Sequence, residues 1–197
     1  GDMPFGSYQV SPEDAVRNAI RFVKESGAHA VKLEGGTAML ETIARIVACE
    51  IPVMGHVGLT PQAIHRMGGH RVQGRSEAGR ARVLADAKAV EAAGAFAVVL
   101  EGMPVELARE VTQTLSIPTI GIGAGPACDG QVLVYHDLLG LEERIAPRFV
   151  RRYAELGVAS REAIAAFAAD VREGAFPADG ESYGTLAPPE QPQKLYG

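Results

Sequence analysis

Cysteine is scarce: Cys49 and Cys128 are the only two in 197 residues, and they stand far apart. That pair builds neither a disulfide scaffold nor a CxxC zinc ribbon, and it fits a reducing, cytoplasmic compartment. Basic runs are missing too. The formal net charge is −5, so neither nucleic acid nor an anionic membrane is an expected partner. No apolar run is long enough for a membrane span, and no signal-peptide pattern opens the sequence. HxH and HExxH spacings are absent, which removes two common zinc arrangements. Gly121-Ile122-Gly123-Ala124-Gly125 matches neither the dinucleotide fingerprint nor Walker A. The strand expected from Gln131 leaves no room for a phosphate-holding helix, so these glycines suit a tight turn close to a ligand. What remains is an ordinary globular composition, 47% hydrophobic and 22% charged, at a length that suits one domain.

Helices and strands alternate along the chain. Ser11-Pro12-Glu13-Asp14 reads as a helix start, with Ala15, Val16, Ala19, Ile20 and Val23 as its apolar stripe and Gly27 as its stop. A strand over Ala28–Glu34 follows, then a helix over Thr37–Ala48 and a strand over Ile51–His56. The next expected elements are a helix over Ser76–Ala93, a strand over Ala95–Glu101, a helix over Pro104–Leu115 and a strand over Ile117–Ile122. A strand over Gln131–Tyr135 and helices over Pro147–Leu156 and Ser160–Glu173 complete the set, with His65 and His70 in loops. Such alternation implies a parallel sheet with helices outside. A further strand would end at Asp2. A closed eight-stranded barrel typically takes about 250 residues. The expectation is therefore an α/β fold, a (β/α)8 TIM barrel lacking its N-terminal strands, over residues 1–175. An extended tail would occupy residues 176–197.

The strongest internal signal is a repeat. Gly27–Gly35 and Gly94–Gly102 share Gly-Ala-x-Ala-Val-x-Leu-Glu-Gly. Both strands end in Glu-Gly, and the C-terminal strand edge is where a barrel carries its chemistry. Side chains alternate along a strand, so Lys32 and Glu34 share one face, as do Ala97, Val99 and Glu101. The opposite faces are apolar, Val31 with Leu33 and Phe96 with Val98 and Leu100, and these should pack on outer helices. Lys32, Glu34 and Glu101 then point inward, where unpaired charge is costly. Either they form an ion pair closing the barrel mouth, or they bind substrate and metal. Asp2 and Glu34 supply hard oxygen donors suited to Mg²⁺. His56, at another strand end, admits two readings: a hydrogen-bonded structural histidine or a substrate contact.

Several runs together resemble the ketopantoate hydroxymethyltransferase family. They are Asp2-Met3-Pro4-Phe5, Val31–Gly36, Gly55-His56-Val57-Gly58-Leu59-Thr60-Pro61-Gln62, Gly68–Arg75, Leu100-Glu101, Ile120–Gly125 and Asp129-Gly130-Gln131. They occur in the family's order and span the chain to about Ser182. The resemblance implies Mg²⁺ held by Asp2 and Glu34, and a 2-oxo acid contacted by Asp2, Lys32 and His56. It implies Glu101 as the proton acceptor and 5,10-methylenetetrahydrofolate as co-substrate. It also implies a homo-oligomer, a decamer in bacteria. The family's Gly-Asp-Ser motif, with one more metal ligand and a substrate-binding serine, has no counterpart here and is expected upstream of Gly1. A lyase of the phosphoenolpyruvate and isocitrate lyase type is the rival enzyme, but its reactive cysteine loop is not apparent. A non-catalytic assembly subunit is the rival outside enzymes.

Overall fold

A computed structural model describes residues 1–144 and 147–184. The chain divides into two compact units. One comprises Gly1–Leu133 with Pro147–Val150, and the other comprises Val134–Ala146 with Arg151–Gly197.

The first unit opens with helix α1, Pro12–Ser26. Its start is the one its residues dictate: the Ser11 hydroxyl accepts from the Asp14 N–H at 3.1 Å, and Pro12 occupies the first turn. Gly27 ends it in the left-handed conformation. Strand β1 (Val31–Lys32), helix α2 (Leu40–Val47), strand β2 (Val53–Gly58) and the short helix α3 (Ile64–Met67) follow. Helix α4 (Glu77–Ala92), capped by Ser76, leads to strand β3 (Ala97–Glu101). Helix α5 (Val105–Thr114) and strands β4 (Thr119–Ile122) and β5 (Gly130–Gln131) complete the unit's regular elements.

All five strands are parallel, in the order β1-β2-β3-β4-β5. Asp2 adds a parallel bridge to Lys32 on the outer side of β1. Strictly sequential order is that of a (β/α) barrel wall, whereas a doubly wound sheet reverses direction at a switch point. The core lies between one face of this wall and its helices. Val31, Leu33, Val53, Val57, Val98 and Leu100 are fully buried there, as are Ile43 and Ile46 of α2, Val90 of α4 and Leu107 of α5. Gly55 marks a close approach of β2 to α4, because a Cβ at this position would enter the space of the Val90 methyl groups.

Several sequence expectations shift. The first strand is only two residues long by ladder pairing, although Leu33 and Gly35 still donate to the Met54 and His56 carbonyls at 3.2 and 2.9 Å. Phe96 lies just before β3 and is exposed, so only Val98 and Leu100 form the buried outer face. Ile20 and Val23 of α1 are partly exposed, leaving Ala15 and Ala19 as the buried contacts. His65 belongs to α3 and not to a loop.

In the second unit, Tyr135 begins the short helix α6 (Tyr135–Leu138) and does not extend a strand. No helix forms over Pro147–Leu156. Pro147–Val150 make a turn, and in the second unit the Tyr153 and Leu156 N–H groups donate to the Leu138 and Leu139 carbonyls at 2.9 and 3.0 Å. Those donors are thereby taken from any local helical ladder. Helix α7 then runs over Leu156–Glu173. Of the expected tail, Phe176 packs edge-on against Phe167 at 5.2 Å, and Asp179–Glu181 form a single 3-10 turn. Its remainder, residues 185–197, lies outside the described residues. No helix among the described residues is long and apolar enough to cross a membrane.

Candidate active site

The site is built from the face of the wall opposite the core. Register fixes its members. Lys32 pairs with Met54, Met54 with Ala97, His56 with Val99 and Gly58 with Glu101. With period-two alternation, Lys32, Glu34, His56 and Glu101 all project from one face. Asp2 joins them through backbone pairing. The Lys32 N–H donates to the Gly1 carbonyl at 2.7 Å, and the Met3 N–H donates to the Lys32 carbonyl at 2.9 Å. This places Asp2 Oδ1 2.7 Å from Lys32 Nζ.

His56, 4% exposed, is the centre of the cluster. Its Nε2 lies 3.2 Å from Glu101 Oε2, and its Nδ1 lies 3.9 Å from Glu34 Oε1 and 3.5 Å from Lys32 Nζ. A ring nitrogen facing an ammonium can only accept, so the neutral ring carries its proton on Nε2, toward Glu101. The approach to Glu101 is close but misaligned. Nε2 therefore remains a buried atom without a formed hydrogen bond.

Glu34 is buried, and burial pushes its carboxyl upward, an effect to which Asp2 adds. The Gln62 N–H, donating to Oε2 at 2.9 Å, works against that shift, as do His56 and Lys32. Glu34 Oε1 has no hydrogen bond among the described residues, and its His56 neighbour is beyond hydrogen-bonding distance. A carboxylate oxygen left open in this way on a buried residue suits a further positive partner. The described residues contain no group of three or more His, Cys, Asp or Glu side chains arranged as metal ligands. Two carboxylates, Asp2 and Glu34, are what the site offers. That set fits a hard cation that keeps several waters and takes one or two protein carboxylates.

The structure thus brings together all five residues singled out in the sequence: Asp2, Lys32, Glu34, His56 and Glu101. It adds two that the sequence reading missed, Tyr8 and Gln62. The Tyr8 side chain is fully buried, and burial pushes its phenol up to about 12. Its hydroxyl donates to Gln62 Oε1 at 2.7 Å and accepts from the Glu34 N–H at 3.3 Å. Gln62 Nε2 donates to the Met3 carbonyl at 2.9 Å. Gln62 closes the run Gly55–Gln62 that resembles the family, so a signal existed. Tyr8, in an irregular stretch, has no periodicity to mark it.

A cavity of about 660 Å³ opens beside Glu34, lined by Phe5, Tyr8, Met39, Gln62, Arg66 and Arg82 among others. It touches Glu34 but not Lys32, His56 or Glu101, so it flanks the charged cluster and does not contain it. Gly121 and Ile122 belong to β4, and Gly123 and Gly125, both at positive φ, lie in the bend that follows; β4 and β5 follow one another with no helix between them, and the Gly125 carbonyl accepts from Gln131 Nε2 at 2.9 Å.

Residues 1–179 match the family model described as ketopantoate hydroxymethyltransferase. A 3-methyl-2-oxobutanoate hydroxymethyltransferase from Geotalea uraniireducens is 60% identical over 182 residues, which cover 92% of this chain and 68% of the relative. Its namesake from Geobacter metallireducens is 58% identical, with the same coverage. That from Anaeromyxobacter dehalogenans is 57% identical over 92% of this chain and 60% of the relative. Among solved structures, phosphonopyruvate hydrolase aligns with a TM-score of 0.47 at 17% identity, covering 93% of this chain and 63% of that one. On the strength of the family model and these relatives, the chain belongs to the ketopantoate hydroxymethyltransferase family.

Proposed function

We propose that this chain supplies a metal- and base-bearing wall for hydroxymethyl transfer from 5,10-methylenetetrahydrofolate to 3-methyl-2-oxobutanoate, giving 2-dehydropantoate on the way to pantothenate. Asp2 and Glu34 would hold Mg²⁺, which supplies Lewis-acid polarisation of the carboxylate and keto oxygens of the 2-oxo acid when bound. The Lys32 ammonium, anchored by Asp2, lies beside the same position and favours negative charge developing on the keto oxygen. Glu101 removes the proton from C3, and the C–H electron pair moves toward that oxygen. Water breaks both C–N bonds of the folate's methylene bridge, releasing tetrahydrofolate and a one-carbon unit at the formaldehyde level. C3 adds to that carbon, the C=O electron pair moves onto its oxygen, and the oxygen takes back the proton from Glu101 to give the hydroxymethyl group. His56 faces Glu101 through Nε2 at 3.2 Å and is placed to form a hydrogen bond to that carboxylate once the two align on substrate.

The observation that carries this reading is the placement of two carboxylates on opposite sides of one buried imidazole, with an ammonium beside it. One carboxylate suits a cation and the other a proton. Neither cysteine pairs with this cluster: Cys49 is exposed, and Cys128 packs against the hydrophobic core. That favours the transferase over a cysteine-dependent lyase. A cytoplasmic homo-oligomer is the accompanying proposal, supported by family membership alone.

The test follows the C3 proton of 3-methyl-2-oxobutanoate by NMR in D₂O with Mg²⁺ and the full-length protein. Exchange is expected with the native protein. Glu101→Gln should slow it by about 10²–10⁴-fold. Exchange at the native rate in that variant would remove Glu101 as the base.

A further inference from the structure

We infer that Tyr8 and Gln62 are positioning residues that fix the spacing of the two carboxylates assigned to the cation. The inference rests on the proposed function, because it takes Asp2 and Glu34 as the cation's ligands. Three strand ends and loops must agree for two such carboxylates to serve one ion. Asp2 lies on the segment paired outside β1, and Glu34 lies just beyond β1. Neither is held by a long ladder, since β1 contributes only two residues to the sheet.

Gln62 supplies the missing restraint from the loop after β2. Its backbone N–H holds Glu34 Oε2 at 2.9 Å, and its side-chain amide nitrogen holds the Met3 carbonyl, one residue from Asp2, also at 2.9 Å. A single residue therefore ties the Asp2 segment to the Glu34 carboxylate. Tyr8 fixes Gln62 in turn. Its hydroxyl donates to Gln62 Oε1 at 2.7 Å, which orients the amide so that Nε2 faces Met3. The same hydroxyl accepts the Glu34 N–H, so both ends of the Glu34 restraint pass through one phenol. The ring is fully buried and cannot swing away. Hydrogen-bond partners of this kind set ligand orientation, and losing them typically costs about 10–100-fold in metal affinity.

The test uses the full-length protein stripped of divalent ions, with MgCl₂ titrated by calorimetry in the absence of substrates. Thermal melts are recorded with and without saturating Mg²⁺. Tyr8→Phe keeps the ring and removes only the hydroxyl. It is expected to weaken Mg²⁺ binding by about 10-fold or more and to shrink the Mg²⁺-induced rise in melting temperature. Gln62→Met keeps the backbone N–H and much of the volume; it should act in the same direction, and it decides the matter if Tyr8→Phe does not fold. A purely structural tyrosine would lower the melting temperature with and without Mg²⁺ alike and leave the affinity at the native value. That result overturns the inference while leaving the proposed function standing. Glu34→Gln separates the two levels: native affinity in that variant would overturn both the ligand assignment and the positioning role built on it.

Discussion

The contact between β2 and α4 gives a sharp quantitative prediction, because a single added methyl group changes it. Gly55 precedes His56 in β2, and a Cβ there would collide with the Val90 side chain, which is completely buried. Gly55→Ala should therefore overpack the layer at about 1–3 kcal/mol, less the roughly 0.5–1 kcal/mol that alanine regains over glycine in a strand, a net cost of about 0.5–2 kcal/mol. Val90→Ala alone removes two buried methyl groups. At about 0.8 kcal/mol each plus a cavity contribution, it should cost about 2–3 kcal/mol. If the sites were independent, the double variant would lose the sum, roughly 2.5–5 kcal/mol. They share one space, however, and the new methyl group fills part of the cavity. The double variant should lose only about 1.5–3 kcal/mol. Urea unfolding followed by circular dichroism measures this through the midpoint, provided the slope is unchanged across the four proteins. Strict additivity, or a neutral Gly55→Ala, would refute the claim that α4 packs directly on the β2 backbone. The functional corollary is that Gly55→Ala displaces His56 and slows C3-proton exchange, and that Val90→Ala restores part of the rate.

Other consequences can be checked more briefly. Asp129 accepts from the Thr119 N–H at 2.8 Å and from its hydroxyl at 3.0 Å, and these bonds hold its carboxyl below the ordinary range. A depressed carboxyl stabilises the fold above its unfolded value, about 3.9, and that contribution is lost as pH falls through the folded value. Asp129→Asn should therefore lower the melting temperature at neutral pH, and the gap to the native protein should close in acid. Glu34 is a buried carboxylate with one oxygen lacking a hydrogen bond, so Glu34→Gln should raise the melting temperature of the chelator-treated protein; a fall would show that its charge is already compensated. Lys32→Met removes the partner of Asp2 and, under the proposed function, a cation beside the keto oxygen, so substrate-dependent exchange should drop by about 10-fold or more in saturating Mg²⁺ while Glu101 keeps its place.

Legibility in the sequence followed the strength of local rules. Ser11 with Pro12, Ser76, and the glycines after α1 and α4 marked helix ends because caps are short-range chemistry. Strand positions were readable as runs of Val, Leu and Ile, yet their ladder extents were not, since pairing depends on a neighbour distant in sequence. The helix expected over Pro147–Leu156 failed for the same reason. Its pattern was helical, but the Tyr153 and Leu156 N–H groups found partners at Leu138 and Leu139. Within the site, charge at a strand end was a visible signal, and it led to Lys32, Glu34 and Glu101. Tyr8 was not visible, because a neutral side chain in an irregular stretch declares its role only through its partners.

The two look-alike strands show how far a shared frame goes. Gly27, Gly35, Gly94 and Gly102 all adopt positive φ, so the repeat encodes two equivalent turns around two equivalent strands. The frame itself does not distinguish Glu34 from Glu101. Their neighbours do, and most of those neighbours come from elsewhere in the chain. Glu34 receives the Gln62 N–H and sits one residue from the Leu33 core contact, with Asp2 and Lys32 across the adjacent bridge. Glu101 ends a strand whose inner residues are Ala97 and Val99, and its close polar neighbour is His56 Nε2. Under the proposed function, a carboxylate beside an ammonium and a second carboxylate suits a shared metal, and a carboxylate above apolar side chains, with one imidazole beside it, suits a proton. The proposed division of labour therefore follows sheet register, which sets β2 between β1 and β3 and puts His56 between the two acids.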